Sequence, residues 1–141
     1  MGQKTDIPDL EGLIKDTIGG HVIEQQVASL LPPGENYGSI MYKVDFTVRK
    51  DGTEKVYHTV AKCTPLNAFT QKMFNTQETF KGEIAWYTTV IPALKQFVKE
   101  QGTEQKIDFF QKYYGGRISL DPASERVDAD GVILTENLKY S

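Results

Sequence analysis

The 141-residue chain has a single cysteine, Cys63. One thiol closes no internal disulfide, so the fold rests on its core, and the composition suits a reducing cytoplasmic compartment. Histidine is nearly as scarce. His21 and His58 are the two present, and neither has a second ligand at metal spacing, so no metal site is expected within these residues. No apolar run approaches the roughly 20 residues of a membrane span. The opening Met-Gly-Gln-Lys-Thr-Asp is too polar for a signal peptide, and Asp6 stands where a myristoylation motif wants Ser or Thr. Basic runs are missing too: 16 Lys and Arg against 19 Asp and Glu give a net charge of −3. Neither a nucleic-acid partner nor a membrane is therefore expected. There is no internal repeat, low-complexity tract or linker. What remains is ordinary for one globular domain with one modest core: 39% hydrophobic and 25% charged residues.

Leu10, Leu13, Ile14 and Ile18 recur at helical spacing, with Asp6 as the expected cap and Gly19-Gly20 as the stop. Residues 21–31 read as a strand from their β formers. A dense turn cluster follows, Pro32 to Ser39. The next ten residues alternate strictly. Ile40, Tyr42, Val44, Phe46 and Val48 share one face; Met41, Lys43, Asp45, Thr47 and Arg49 share the other. Lys50-Asp51-Gly52-Thr53 predicts a hairpin turn. The partner strand, 54–63, puts Val56, His58, Val60 and Lys62 on one face. Pro65 ends it, and 67–74 reads as a short helix.

Thr76 is the expected cap of a longer helix with Phe80, Ile84, Tyr87, Ile91, Leu94 and Val98 in one stripe. At ~100° per residue Glu83 lies about 60° from the stripe's centre, whereas Glu78 lies on the opposite, solvent side. Pro92 must kink this helix or begin another, and Gly102 closes it. A fourth strand is expected over 106–114, ended by Gly115-Gly116. Val132-Ile133-Leu134 forms a fifth. The fold class is α+β: a five-stranded antiparallel sheet with a long helix on one face.

Three features in this order suit a nucleotide. A turn-rich loop offers backbone N–H groups to phosphates. A lysine at the end of the next strand, Lys62, pairs with phosphate oxygens. A helical glutamate, Glu83, holds that lysine in place. Each alone is commonplace: turns join strands, and lysines end them in solvent.

The chain from about Leu10 to Ser141 resembles the small-lobe half of the ecdysteroid-kinase-like family of insects. That family is also called CHK-kinase-like and is related to choline and aminoglycoside kinases. The residues that carry the resemblance begin with Gly34-Glu35-Asn36-Tyr37-Gly38-Ser39, Val60-Ala61-Lys62 and Pro65-Leu66-Asn67. Met73-Phe74 and Phe80-Lys81-Gly82-Glu83-Ile84-Ala85-Trp86-Tyr87 follow, leading to Val90-Ile91-Pro92-Ala93-Leu94. Tyr113-Tyr114-Gly115 and Val132 to Leu138 complete the set. The resemblance implies a protein-kinase-like small lobe that binds ATP with magnesium, in a protein that phosphorylates a small-molecule hydroxyl such as an ecdysteroid-like alcohol. It implies that Lys62 contacts the phosphates and pairs with Glu83, and that Asn36, Tyr37, Gly38 and Ser39 cover the phosphates. By the same resemblance Ile40 and Val60 roof the adenine, and Thr135 lies behind it. The Glu136 carbonyl and Leu138 amide take its edge, with Asn137 between them in the hinge.

Two departures matter. The loop lacks a full Gly-x-Gly-x-x-Gly, which argues against a protein substrate. The family's Glu-Asp-Leu hinge is here Glu136-Asn137-Leu138. The resemblance also divides the chain into a helical segment, 1–20, a lobe, 21–138, and the start of a second lobe, 139–141. The family's catalytic aspartate, metal ligands and acceptor pocket follow the hinge, and these 141 residues contain no His-x-Asp. Alone, the chain is expected to be inactive. The alternatives are a non-catalytic nucleotide- or partner-binding module, and a plain α+β domain with Lys62 and Glu83 at its surface.

Overall fold

Strict alternation and a two-residue turn set the frame. The computed structural model describes residues 6–30, 40–64, 72, 75–102 and 111–138. Strand β1 is His21–Ser29, β2 Ile40–Lys50 and β3 Thr53–Cys63. Between β2 and β3, Asp51 and Gly52 take φ of 53° and 77°, the left-handed geometry that matches strand twist in a tight hairpin. Lys50 faces Thr53, and from there the register runs unbroken to Ile40 opposite Cys63. On one face Tyr42, Val44, Phe46 and Val48 are buried with Thr59, Ala61 and Cys63. On the other, Met41, Lys43, Asp45, His58, Val60 and Lys62 are half-buried.

Strands β4 (Tyr113–Arg117) and β5 (Val132–Glu136) complete the sheet in the order β1-β2-β3-β5-β4. Every neighbouring pair is antiparallel. The strand that carries Lys62 is thus central. The expected β4 began earlier and ended at Gly115-Gly116; both glycines instead lie inside the strand. A Cβ on Gly115 would meet the Leu13 carbonyl oxygen at 2.1 Å, so only glycine admits that close backbone approach. Residues 106–110 of the expected strand, and 67–71 and 73–74 of the expected short helix, lie outside the described residues.

Each sheet face has its own cover. Helix α1 is a single turn, Leu10–Leu13, capped by Asp9, whose Oδ1 accepts from the Gly12 N–H at 3.2 Å. The cap is therefore Asp9 rather than the expected Asp6. The apolar spacing still acts: Ile7, Leu10 and Ile14 are buried against Tyr42, Val44, Phe46, Ala61 and Leu134. The Thr17 hydroxyl donates to the Tyr114 carbonyl, tying this segment to β4.

The opposite face carries a long helical rod. Helix α2 (Thr76–Ala85) passes through a π-helical turn (Trp86–Val90) into α3 (Ile91–Glu100). Asn75 holds the N-cap position, one residue before the expected Thr76, and its side chain makes no capping bond. Pro92 neither breaks nor ends the rod. Proline lacks an N–H and crowds the carbonyl four residues back; widening the preceding turn relieves both, and the Ile91 N–H bonds the Trp86 carbonyl, five back. Phe80 is buried with Val127 and Ile133, joined by Ile84, Tyr87, Tyr113 and Ile118. The π turn also shifts the phase of α3: Leu94, expected in the packing stripe, is 38% exposed. Alternate residues of β5 thus enter different cores, Val132 and Leu134 on the α1 side and Ile133 on the α2 side.

The result is the α+β architecture of a kinase-like small lobe, with the five-stranded antiparallel sheet and long helix expected of it. Among the described residues no helix is long and apolar enough to cross a membrane.

Candidate functional site

Lys62 stands near the C-terminal end of β3, between Met41 of β2 and Ile133 of β5 in register. Its parity points it toward the α2 side of the sheet. There its Nζ donates to Glu83 Oε1 at 2.8 Å, with 35% of the lysine side chain and 32% of the glutamate side chain exposed. The helical wheel selects Glu83, and the geometry agrees; Glu78 is exposed. The pair joins sheet to helix across a partly wet boundary.

What aims Glu83 lies on either side of it. Gln77 makes a reciprocal pair of bonds to Val127: its Nε2 donates to the carbonyl at 2.8 Å, and its Oε1 accepts from the amide at 2.8 Å. This pins the first turn of α2 to the loop before β5. One turn beyond Glu83, Tyr87 stacks on Tyr113 of β4, with ring centroids 5.1 Å apart and planes 9° off parallel. Burial pushes the Tyr87 phenol up, and the Glu83 charge adds to it. Burial alone raises Tyr113 to about 12. Both rings stay neutral at ordinary pH and clamp the helix on the sheet.

Next to the ion pair a row of residues crosses the same face. Lys43 pairs with Val60, Val60 with Thr135, and Thr135 with Tyr113. Thr135 is 8% exposed and Val60 half-buried, so the structure places these two expected adenine contacts side by side. Ile40 does not join them. It faces Cys63 and packs against the α1-side core, the face opposite Val60. The two cannot roof one base, because side chains of successive residues leave a strand on opposite sides. Met41, opposite Lys62, holds the position expected of Ile40.

The end of β5 is tightly bonded. The Glu136 N–H donates to the Lys112 carbonyl at 2.8 Å, and the Lys112 N–H donates to Glu136 Oε1 at 2.9 Å. The Gln111 side chain donates Nε2–H to the Glu136 carbonyl at 2.6 Å. The Asn137 N–H donates to the His58 carbonyl at 3.0 Å, extending the β3–β5 ladder by one bond. Leu138 is 60% exposed. Asn36, Tyr37, Gly38 and Ser39, the expected phosphate-covering loop, lie outside the described residues, as do 139–141.

Sequence reasoning assigned no role to three polar residues on the site face. His58 Nδ1 is 2.9 Å from Asp45 Oδ1, and Lys43 Nζ is 3.6 Å from Asp45 Oδ2. The signal was available: a two-residue turn fixes Asp45 opposite His58, on the face of Lys62. Among the described residues no group of three His, Cys, Asp or Glu side chains is placed to hold a metal ion.

The arrangement offers an anchored cation, an apolar and hydroxyl-bearing row beside it, and a strand end whose Glu136 and Asn137 backbone groups are already hydrogen-bonded within the lobe. A family model described as the ecdysteroid kinase-like family matches residues 33–141. No curated protein and no solved structure matches the chain.

Proposed function

Because the chain belongs to the ecdysteroid kinase-like family, its broad class is a kinase-like phosphotransferase, and we propose that these residues form the ATP-binding lobe of a cytoplasmic small-molecule kinase. The observation that carries the proposal is the Lys62–Glu83 ion pair at 2.8 Å, which bridges the central strand and the helix. A lysine held by a carboxylate presents its ammonium group in one direction, and phosphate oxygens are its natural partners.

Under this reading Lys62 meets the ATP phosphates and Glu83 orients it. Asn36, Tyr37, Gly38 and Ser39 are the proposed phosphate-covering residues. Val60 and Met41 provide the apolar roof, with Thr135 behind the base. The Glu136 carbonyl and the Leu138 amide take its edge, with Asn137 as the hinge residue between them. The acceptor is a small-molecule hydroxyl, an ecdysteroid-like alcohol by family. Transfer of the γ-phosphoryl group needs both substrates positioned and the developing charge neutralised. The residues here serve the first need for ATP alone, since they include neither a His-x-Asp segment nor a cluster of metal ligands among those described.

The test is an ATP titration of the 141-residue chain followed by NMR, with Lys62→Ala beside it. Loss of a charge-assisted bond of about 1.5–3 kcal/mol predicts roughly tenfold or greater weakening. No ATP-dependent phosphorylation of an alcohol is expected from this chain alone. Failure of the wild type to bind ATP would sink the proposal, and so would equal binding by Lys62→Ala.

A further inference from the structure

We propose that Gln111 sets the base preference of the nucleotide site by converting its acceptor edge into a donor edge. The inference rests on the ATP-lobe reading, in which the Glu136 carbonyl meets the base. In the structure that carbonyl is engaged: Gln111 Nε2 donates to it at 2.6 Å. Neighbouring Lys112 holds the same residue by its amide and its carboxylate. Glu136 is therefore clasped at all three of its polar groups by two consecutive residues, and Gln111 is held half-buried beside it.

A bare carbonyl at a base edge accepts, so it selects a purine with an amino group at position 6, adenine. A carboxamide nitrogen carries two N–H donors. Gln111 spends one on Glu136, and its second has no other partner among the described residues. Capped in this way, that position presents an N–H and favours an oxygen at position 6, as in guanine, while the Leu138 amide still favours the unprotonated N1 of adenine. Adenine can still bind, but its amino group must displace the glutamine or share the carbonyl's second lone pair. The clasp thus lowers the preference for ATP over GTP that the carbonyl alone would give.

Paired titrations of ATP and GTP into the wild-type chain and Gln111→Met test this. Methionine keeps the length of the side chain and removes both donors. Wild type should keep a preference for ATP through the Leu138 amide and adenine N1, but a smaller one than Gln111→Met. In Gln111→Met, ATP should tighten and GTP weaken, so that their ratio moves about tenfold, one hydrogen bond's worth in total. Gln111→Ala, checked for folding by circular dichroism, should move the ratio the same way. A ratio unchanged in both variants overturns the proposal, as does an equal loss for both nucleotides, which marks Gln111 as merely structural. If neither nucleotide binds the wild type, the ATP-lobe reading falls and this inference with it; binding with an unmoved ratio sinks this inference alone.

Discussion

A double-mutant cycle on Lys62 and Glu83 tests the geometry without any nucleotide. Lys62→Met keeps the apolar stem that runs between Met41 and Ile133 and removes the charge. Glu83→Gln keeps the shape. Two unit charges about 4 Å apart attract by roughly 4 kcal/mol at the effective dielectric of a protein surface. Most of that is offset. Each side chain is about one-third exposed, so each gives up part of its hydration, and both lose rotamer freedom. A coupling of about 1 kcal/mol remains, the upper end of the range for exposed pairs and well short of the 3–5 kcal/mol lost when a fully buried pair is broken. Each single variant should lose about 1 kcal/mol, a fall in melting temperature of about 4 °C. The double variant should lose little more than either. Urea unfolding followed by the lone tryptophan, Trp86, reads all four species. A coupling below about 0.3 kcal/mol means the contact is not kept in solution. One above about 3 kcal/mol means that the boundary between helix and sheet is dry, and the partly exposed site described above is wrong.

Two further substitutions probe the supports. Gly115→Ala forces a methyl onto the Leu13 carbonyl oxygen at 2.1 Å, so α1 must lift from the sheet at a cost of about 2–3 kcal/mol by urea unfolding; a neutral result would refute that approach. Alkali should unfold the chain through its tyrosines. The folded Tyr113 keeps its proton to about 12 against 10.0 for a solvated tyrosine phenol, so its contribution is whole below pH 10 and is lost between pH 10 and 12. After allowance for the ring's solvent contact this is about 1–2 kcal/mol. Tyr113→Phe should flatten the stability–pH slope over that window, and an unchanged slope would remove Tyr113 as its source.

The hairpin was legible because its alternation is strict and Asp51-Gly52 admits one turn geometry. The choice of Glu83 over Glu78 was legible because a helical wheel is rigid over seven residues. Ile40 was misplaced where two apolar residues, Ile40 and Met41, stand side by side. Alternation cannot rank such neighbours, but counting back from the Lys50–Thr53 pair puts Met41 opposite Lys62. The glycines of β4 were read as punctuation because a sequence does not show which backbone passes close by. Nor does it show the Gln111 clasp, which joins residues 25 apart through a strand pairing that no local pattern encodes. Pro92 raised the right question, kink or new start: it lies in the first turn of α3, and the π turn before it joins that new start to α2.

The unbroken register of β2 and β3 makes the chain's tolerance to length changes uneven. Odd-numbered β3 residues from Thr59 to Cys63 support one core, and even-numbered ones from His58 to Lys62 form the candidate site. One residue inserted anywhere from Thr59 to Lys62 moves every β3 residue beyond it to the other face. It would drive a lysine into the core at the moment it removed the cation from the site. Two inserted residues restore the parity, and an insertion at the Asp51-Gly52 tip leaves both sets alone. A scan of one- and two-residue insertions along β3 would therefore alternate between loss and recovery of the fold, an odd–even record of which side of the sheet each position serves.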